Sequence, residues 1–502
     1  MDILLQVLVN ILSISSLLAS LFGVFIGIIA GALPGIGGAM TISLFLPFTF
    51  YMSSLQGMSL LMGIYCGCIY GGSISAILIG VPGTASAAAT ILDGRPMALQ
   101  GRAGKALYAS LFASFFGGLF SGICLLFCAP LFAKVALEFG PIQYLGLIVF
   151  ALTIISGLSQ GNLFKGLSAA SIGILLSLIG TDPIHGNLRF TFNFSFLYGG
   201  LPFVPFLVGI FGLSQVLIQS EVRIGEGHSA KEAFLPPPKT HDDTVFTLVD
   251  LMKYRILVLK SAIIGTFIGV LPSIGASISS FIAYSEAQRS AKNPENFGKG
   301  DVRGVIAPET ANNAVTGGAL IPLMTLGIPG DIVTAILFGA LLIKGLIPGP
   351  LLFTQQAPLV FSIFGMFIVI QFLMLALGYL ILKYFAMHIV RVPKPLLFSI
   401  VVMLSVTGTF AVQNSLFDVA FMIFSCTLGY LLKKFGFPLA PVIIAFMLGK
   451  KLEISLRQSL LLSDGKWGLI LKDPIFELFL VLSIVSLVLF WIQRRRIAYR
   501  AG

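Results

Sequence analysis

Apolar residues along this chain come in runs that are too long and too continuous for a soluble fold. Runs approaching the roughly 20 residues that cross hydrocarbon lie near 14–32, 56–80, 106–134, 141–158, 162–180, 195–218, 254–271, 310–328, 332–348, 358–385, 396–413, 416–432, 438–449 and 474–493. Several are short or interrupted, so the pattern predicts about ten to thirteen membrane helices. Transmembrane barrel strands alternate polar and apolar positions, and these runs do not. Polar residues gather in two places. Residues 219–253 hold Glu221, Arg223, Glu226, Lys231, Glu232, three consecutive prolines from Pro236, and Asp242-Asp243. Residues 286–309 form a second charged stretch. Neither is apolar enough for a core of its own. The expected organisation is a first membrane half over 1–218, a polar linker over 219–253, and a second half with additional helices over 254–475. A last membrane helix and basic tail occupy 474–502. The fold class is an all-α polytopic membrane protein.

Two motifs recur in the same order on either side of the linker. Gly27-Ile-Ile-Ala-Gly31-Ala-Leu33-Pro34-Gly35-Ile36-Gly37 is echoed by Gly265-Thr-Phe-Ile-Gly269-Val-Leu271-Pro272-Ser273-Ile274-Gly275. Gly80-Val81-Pro82-Gly83 is echoed by Gly327-Ile328-Pro329-Gly330, each between two apolar runs. Two matches in one order predict internally repeated halves.

The repeats place helix breaks inside apolar sequence. Pro82 lacks an N–H and Gly83 tolerates positive φ, so the helix before them ends. Thr84 is then placed to N-cap a new helix, and Asp331 does the same in the second copy. Broken backbone in hydrocarbon is tolerated only where protein or a water-filled cavity satisfies it. Paired breaks in two halves point to a transporter's binding site; ordinary extramembrane turns are the competing reading. Thr84 and Ser86 at a positive helix end suit an anion. Asp331 beside freed carbonyls suits a cation such as Na⁺, or only caps its helix. At membrane depth a carboxylate costs about 2.5–3.5 kcal/mol, more than a cap alone explains.

The run before each break adds polar atoms. Asn312, Thr316 and, nearly, Glu309 share one helical face, with Asn313 beside them. The first half has Tyr65, Tyr70, Gly71, Gly72, Ser73 and Ser75 at the matching place, where small residues equally serve close helix packing. The Leu-Pro breaks supply a second unwound stretch per half, followed by Thr41 and Ser43, or by Ser277, Ser279 and Ser280. The candidate anion-binding set is therefore Pro34, Gly35, Gly37, Gly83, Thr84, Ser86, Ser277, Asn312, Asn313, Thr316 and Gly330. The candidate ion-binding set is Asp331, Glu309 and Gly327.

Composition narrows the function class. Of 502 residues, 57% are apolar and 10% charged, against roughly 25% charged in soluble domains. A soluble enzyme, a disordered scaffold and a disulfide-framed domain are excluded. Fifty-five Gly and 25 Pro exceed what plain spanning helices use, in keeping with the breaks. The net charge of +11 reads as basic cytoplasmic loops rather than a nucleic-acid surface. Arg494, Arg495, Arg496 and Arg500 put the C-terminus in the cytoplasm. No Lys or Arg precedes Arg95, so Met1–Leu21 lacks the basic region of a secretory signal and reads as a retained helix. The five cysteines sit in apolar runs and read as packing residues. Asp93-Gly94-Arg95-Pro96, with Arg102 and Lys105, reads as a basic loop. Lys450, Lys451, Glu453 and Arg457 read as a loop ion-pair group. No nucleophile–base set, Walker A sequence, histidine cluster or metal motif is present, so neither an enzyme nor an ATP-driven pump is expected, and no cofactor beyond a coupling Na⁺ or H⁺.

These motifs resemble the large membrane subunit of the tripartite tricarboxylate transporters, the TctA family. The resemblance lies in Gly31-Ala-Leu-Pro-Gly-Ile-Gly37, Gly80-Val-Pro-Gly83 with Asp93-Gly-Arg-Pro96, Ala307-Pro-Glu-Thr-Ala-Asn-Asn313-Ala, and the run from Gly317 to Gly330. It continues in Phe437-Pro-Leu-Ala-Pro441 and in Glu453 with Arg457-Gln-Ser-Leu460, so it covers about residues 14 to 475. It implies import of tricarboxylates or related carboxylates across a bacterial inner membrane, driven by a Na⁺ or H⁺ gradient. A periplasmic solute-binding protein would deliver substrate, and a small membrane subunit (TctB-like) would accompany the chain. Analogy with other carboxylate transporters adds inverted repeats and an elevator-like motion. The rival classes are an uncoupled channel or permease for small organic anions, and a membrane-embedded enzyme, which the scattered acids and histidines disfavour.

Overall fold

Seven helices among the described residues are long and apolar enough to cross a membrane: Ile14–Ala32, Ser54–Ile79, Ala103–Ala136, Phe203–Glu221, Ala357–Tyr384, Leu396–Gln413 and Leu416–Lys434. Shorter apolar helices occur at Gly37–Tyr51, Pro141–Ile154, Leu163–Ser177, Ile332–Ile343 and Pro474–Val488. The protein is an all-α polytopic membrane protein. The computed structural model describes residues 2–158, 163–225, 236–237, 240, 243–271, 275–384 and 394–501. Much of the expected linker therefore lies outside the described residues. So do Pro272, Ser273 and Ile274 of the second Leu-Pro break.

In chain order the helices are α1 (Asp2–Ile11), α2 (Ile14–Ala32), α3 (Gly37–Phe45), α4 (Ser54–Ile79), α5 (Ala88–Leu99) and α6 (Ala103–Ala136). Then come α7 (Pro141–Leu158), α8 (Leu163–Ser177), α9 (Phe203–Leu207), α10 (Ser214–Gly225), α11 (Leu248–Met252) and α12 (Arg255–Val270). They continue with α13 (Gly275–Arg289), α14 (Arg303–Leu326), α15 (Ile332–Ile343), α16 (Pro350–Gln355) and α17 (Ala357–Tyr384). The last are α18 (Lys394–Gln413), α19 (Leu416–Lys434), α20 (Leu439–Leu462), α21 (Trp467–Leu471) and α22 (Pro474–Ala501). The chain divides into two compact units: Met1–Phe132 with Gln215–Gly408, and Ala133–Ser214 with Thr409–Gly502.

The first unit holds every candidate site residue. Gly23, Gly27 and Gly31 recur at four-residue spacing, on one face of α2. A Cβ at these positions would run into the carbonyl oxygens of Leu60, Ile64 and Cys68 in turn. Both series ascend together, so α2 and α4 run parallel, and glycine is what lets the backbones approach so closely. α12 and α14 do the same: Gly265 faces the Ala311 carbonyl and Gly269 the Val315 carbonyl. Ile64 and Ala311 each stand sixteen residues before the glycine that follows the helix, Gly80 and Gly327. Two parallel helices in sequence need a returning segment between them. α3 and the tight turn Pro47–Tyr51 return the chain in one case, and α13 in the other. Across the two pairs, Cys66 of α4 faces Thr316 of α14, and Ser73 faces Glu309. One series ascends as the other descends, so α4 and α14 are antiparallel.

The second unit packs α7, α8, α20 and α22 together, with Leu145, Ile470 and Phe476 buried between them. α9 runs into a widened π turn, Val208–Leu213, whose Gly209 lies under the Met422 carbonyl of α19. Two expectations change here. The apolar run at 195–218 opens with a single 3₁₀ turn, Ser195–Leu197, and becomes α-helical only from Phe203. Before it, a two-residue antiparallel strand pair (Gly180–Thr181 with Leu188–Arg189) opens an irregular segment. Phe190, Phe192, Phe194 and Phe196 are exposed, and of these only Phe196 lies in the predicted run. The ion-pair group also sits on helix α20 rather than a loop. Glu453 binds Arg189 at 2.8 Å and Arg457 at 2.6 Å, and Arg457 reaches Asp182 at 3.1 Å.

Candidate functional site

α4 and α14 both end on a left-handed glycine, Gly80 at φ 72° and Gly327 at φ 68°. This conformation costs a residue with a side chain about 1–2 kcal/mol. Beyond each glycine the chain doubles back along the helix it has just left. The Gly83 N–H donates to the Gly72 carbonyl at 3.2 Å, already two turns back along α4. A Cβ on Gly83 would collide with the Gly31 carbonyl and lie 2.8 Å from Ser75 Oγ. Gly330 is seated in the same way: a Cβ there would be 2.9 Å from the Ala319 Cβ and 3.0 Å from the Gly269 carbonyl oxygen. Gly72 and Ala319 each stand eight residues before their helix-ending glycine.

Asp331 follows at the second tip and accepts a 2.6 Å hydrogen bond from Tyr65 Oη of α4. Since α4 and α14 are antiparallel, the two tips enter from opposite ends. One touches α4 at Gly72 and the other at Tyr65, seven residues or about 10 Å apart along the axis. The helices after the Leu-Pro breaks begin in the same region. A Cβ on Gly38, in the first turn of α3, would lie 3.5 Å from Cys68 Cβ and 3.6 Å from Val333 Cγ2. Ser280 of α13 donates through Oγ to the Ser86 carbonyl at 2.9 Å. α3 and α15 thus start close together, with N–H groups of their first turns unpaired within the helix, and α13 passes the turn that leads into α5.

Each candidate residue has a definite place. Thr84 does not cap α5 as expected. It is extended (φ −125°, ψ 152°) before a tight turn, Ala85–Ala87, makes no side-chain cap, and pairs its hydroxyl with Ser86 Oγ at 3.0 Å. Asp331 does cap α15: its Oδ1 accepts from the Thr334 N–H at 2.7 Å, and Thr334 Oγ1 accepts from the Asp331 N–H at 2.8 Å. Tyr65 holds the other carboxylate oxygen. Pro34, Gly35 and Gly37 form the first break, with φ 97° at Gly35 and 60° at Gly37. Gly327 serves as the left-handed helix end. The Ser277 carbonyl accepts from Ser280 Oγ at 2.8 Å.

Glu309, Asn312, Asn313 and Thr316 are all buried on α14. Glu309 accepts from Thr90 of α5 and, at 3.2 Å, from Ser114 of α6. Asn313 Nδ2 donates to Ser114 Oγ at 2.8 Å and to Asn312 Oδ1 at 2.6 Å. Thr316 Oγ1 donates to the Asn313 carbonyl. Asn312 Nδ2 is buried and makes no hydrogen bond.

Several contributors escaped sequence reasoning. Gln219 of α10 donates to the Gly35 carbonyl; it lies where the sequence predicts a linker. Thr90 and Ser114 are lone hydroxyls in apolar runs. The sequence places Asp93 in a basic surface loop, yet it is buried within α5. Its Oδ1 accepts from the N–H groups of Gly298, Gly300 and Asp301 at 2.8–2.9 Å, and its Oδ2 from Tyr284 Oη at 2.8 Å. The signal available was an acid one turn after Thr90 on the same helix.

The sequence matches the family described as "Tripartite tricarboxylate transporter TctA family" over residues 17–444. It is 35% identical over 467 residues to the uncharacterized 52.8 kDa protein in the TAR-I ttuC' 3' region of Agrobacterium vitis, covering 93% of this chain and 91% of that one. It is also 35% identical over 225 residues to an uncharacterized protein in the TAR-II ttuC' 3' region of the same bacterium, covering 45% of this chain and 93% of that one. No solved structure matches it significantly.

Proposed function

Since the chain belongs to the tripartite tricarboxylate transporter TctA family and is a membrane transporter of that type, we propose that it imports tricarboxylates or related carboxylates across the bacterial inner membrane. A gradient of Na⁺ or H⁺ drives the import. A periplasmic solute-binding protein delivers the substrate and a small TctB-like membrane subunit completes the complex, with the C-terminus in the cytoplasm. The anion sits between the two Gly-Pro-Gly tips. Thr84, Ser86, Asn312, Asn313 and Thr316 supply hydroxyl and amide groups, Ser277 adds a hydroxyl, and Pro34, Gly35, Gly37, Gly83 and Gly330 expose backbone. Asp331, Glu309 and the backbone at Gly327 serve the coupling ion.

One observation carries this reading. The two Gly-Pro-Gly tips enter from opposite ends of an antiparallel pair and meet α4 about 10 Å apart, and α14 carries a buried Asn312 amide N–H₂ with no hydrogen-bond partner. Helix N-termini stabilise negative charge, and an unpaired buried donor costs about 1–3 kcal/mol until an acceptor arrives. The parallel packing of α2 on α4 and of α12 on α14, with the two pairs opposed, supports an inverted duplication. That arrangement suits alternating access by elevator-like movement of one body. Counterflow of labelled carboxylates in proteoliposomes, with the partner proteins and with or without Na⁺ and pH gradients, tests the reading. Saturable exchange that a gradient converts to accumulation is expected. Absence of exchange for every carboxylate rejects it, and flux indifferent to gradients and to the binding protein indicates an uncoupled permease.

A further inference from the structure

Glu309 is an acid enclosed on all sides, 0% exposed, in a part of the first unit where no base answers it. It stands on α14 against the first turn of α5. Its carboxylate accepts from Thr90 Oγ1 and Ser114 Oγ. Ser114's own oxygen is occupied by the Asn313 amide, which turns the serine hydrogen toward Glu309. Ser73 of α4 also faces the carboxylate. It makes no hydrogen bond, and neither do Tyr70 Oη and Asn312 Nδ2. Among the described residues no Lys, Arg or His pairs with Glu309.

The titratable neighbours are accounted for. Tyr70 faces it from α4, with Tyr108 of α6 behind that ring. Asp93, one turn beyond Thr90 on α5, is bound to Tyr284 and the 298–301 backbone. Arg303, nearly two turns earlier on α14, is held by Asp301 at 2.6 Å. Lys105 is more than two turns from Ser114 on α6. Gln371, the polar group that α17 places here, does not titrate and donates to Cys66 Sγ.

The chemistry of this enclosure selects one cation. A bound Na⁺ or divalent ion needs several oxygens with free lone pairs. Here the hydroxyl hydrogens of Thr90 and Ser114 point at the carboxylate, an arrangement that stabilises an anion when it forms. An acid among donors, without a counter-charge and out of water, is suited to gaining and losing a proton. Asn312, one turn along α14 and a member of the proposed anion-binding set, turns its side chain toward the same carboxylate. A negative charge on Glu309 would repel an incoming carboxylate, and a proton removes that charge.

We propose that Glu309 binds the coupling proton, so that the carboxylate anion and this proton are taken up together. This rests on the carboxylate-transporter reading. The step is a single O–H bond formed at a Glu309 oxygen, with the proton drawn from water on the side where substrate enters and returned to water on the other. Asp331 is separate, held by Tyr65 and Thr334.

The test begins without substrate. Infrared pH titration of the purified full-length chain in lipid should show a protonated carboxyl band exchanging for a carboxylate band, and Glu309→Gln should lose that band. Ser114→Ala keeps the carboxyl but removes one donor, and should displace the midpoint by about one pH unit. No titrating buried carboxyl in the parent protein, or one that survives Glu309→Gln, overturns the proposal. In proteoliposomes with the partner proteins, Glu309→Gln should lose accumulation of labelled citrate or other carboxylates driven by a pH gradient, and Ser114→Ala should move the pH dependence of that accumulation in step with its infrared midpoint. Accumulation that persists in the variant overturns the proposal as well. If the parent exchanges no carboxylate, the transporter reading fails while the infrared result still decides whether Glu309 titrates.

Discussion

Tyr65 donates its hydroxyl hydrogen to Asp331 across 2.6 Å, tying the middle of α4 to the start of α15. The two residues come from opposite halves of the sequence. Asp331 spends its other oxygen on the Thr334 N–H, so one carboxylate both starts a helix and docks it.

Removing the hydroxyl separates these roles. Tyr65→Phe should leave α15 capped but loosen its docking, at a cost of about 1.5–3 kcal/mol for a bond to a charged group. Asp331→Asn keeps an acceptor for the cap and lowers the charge. Both variants should fold, and both should slow counterflow. The double variant should lose less than the sum of the two if the bond is the shared element. Wild-type flux and ion dependence in Asp331→Asn would remove Asp331 from the ion set.

Gly83 and Gly330 differ in how much room they have. A Cβ on Gly83 collides with the backbone oxygen of Gly31, whereas one on Gly330 meets Ala319 and Gly269 at 2.9–3.0 Å. Overpacking of this kind costs about 1–3 kcal/mol. Gly83→Ala should therefore lower the thermal midpoint of the purified protein more than Gly330→Ala, and abolish counterflow first. Equal, negligible shifts would contradict the close docking of both tips.

Asp93 acts as an internal cap for the loop before α14. Asp93→Ala leaves three backbone N–H groups and Tyr284 without their acceptor, each unsatisfied group costing about 1–3 kcal/mol. The variant should yield little monodisperse protein. Asp93→Asn, with one acceptor oxygen left, should be intermediate. Full yield from Asp93→Ala would mean that water replaces the carboxylate.

In the second unit, the N–H groups of Ile184 and His185, followed by Arg457, hold the Asp182 carboxyl down at about 2. A carboxyl lowered by folding stabilises the fold above its ordinary value of 3.8 and loses that contribution as pH falls toward about 2. Amide exchange at Ile184 and His185 should stay slow from neutrality to about pH 4 and quicken below it. Asp182→Asn should give faster exchange than the parent above about pH 4, with the difference closing as pH falls toward about 2. Protection that ignores acid in the parent protein would argue against the carboxylate as its source.

The sequence alone determined the solvent and the punctuation of this protein. Long apolar runs require hydrocarbon or a protein interior around them. Gly80-Val-Pro-Gly83 and Gly327-Ile-Pro-Gly330 end helices because proline lacks a donor and glycine accepts positive φ. Asp331 was legible as an N-cap for the same local reason. What lies beyond one helix turn was not legible. Thr84 looked like a cap, but the chain at Gly83 is pulled back onto Gly72 and Gly31, and that contact sets its backbone. Asp93 looked like a surface charge because its three N–H partners lie about two hundred residues away. The start of the run at 195–218, with Phe196 in it, read as membrane helix because apolar count carries no information about backbone direction. Only the tertiary structure decided that α4 and α14 oppose each other. That opposition brings Asp331 to Tyr65 and Thr90 to Glu309. Helix ends are chosen by local chemistry, but where they meet is decided by packing between segments distant in the chain.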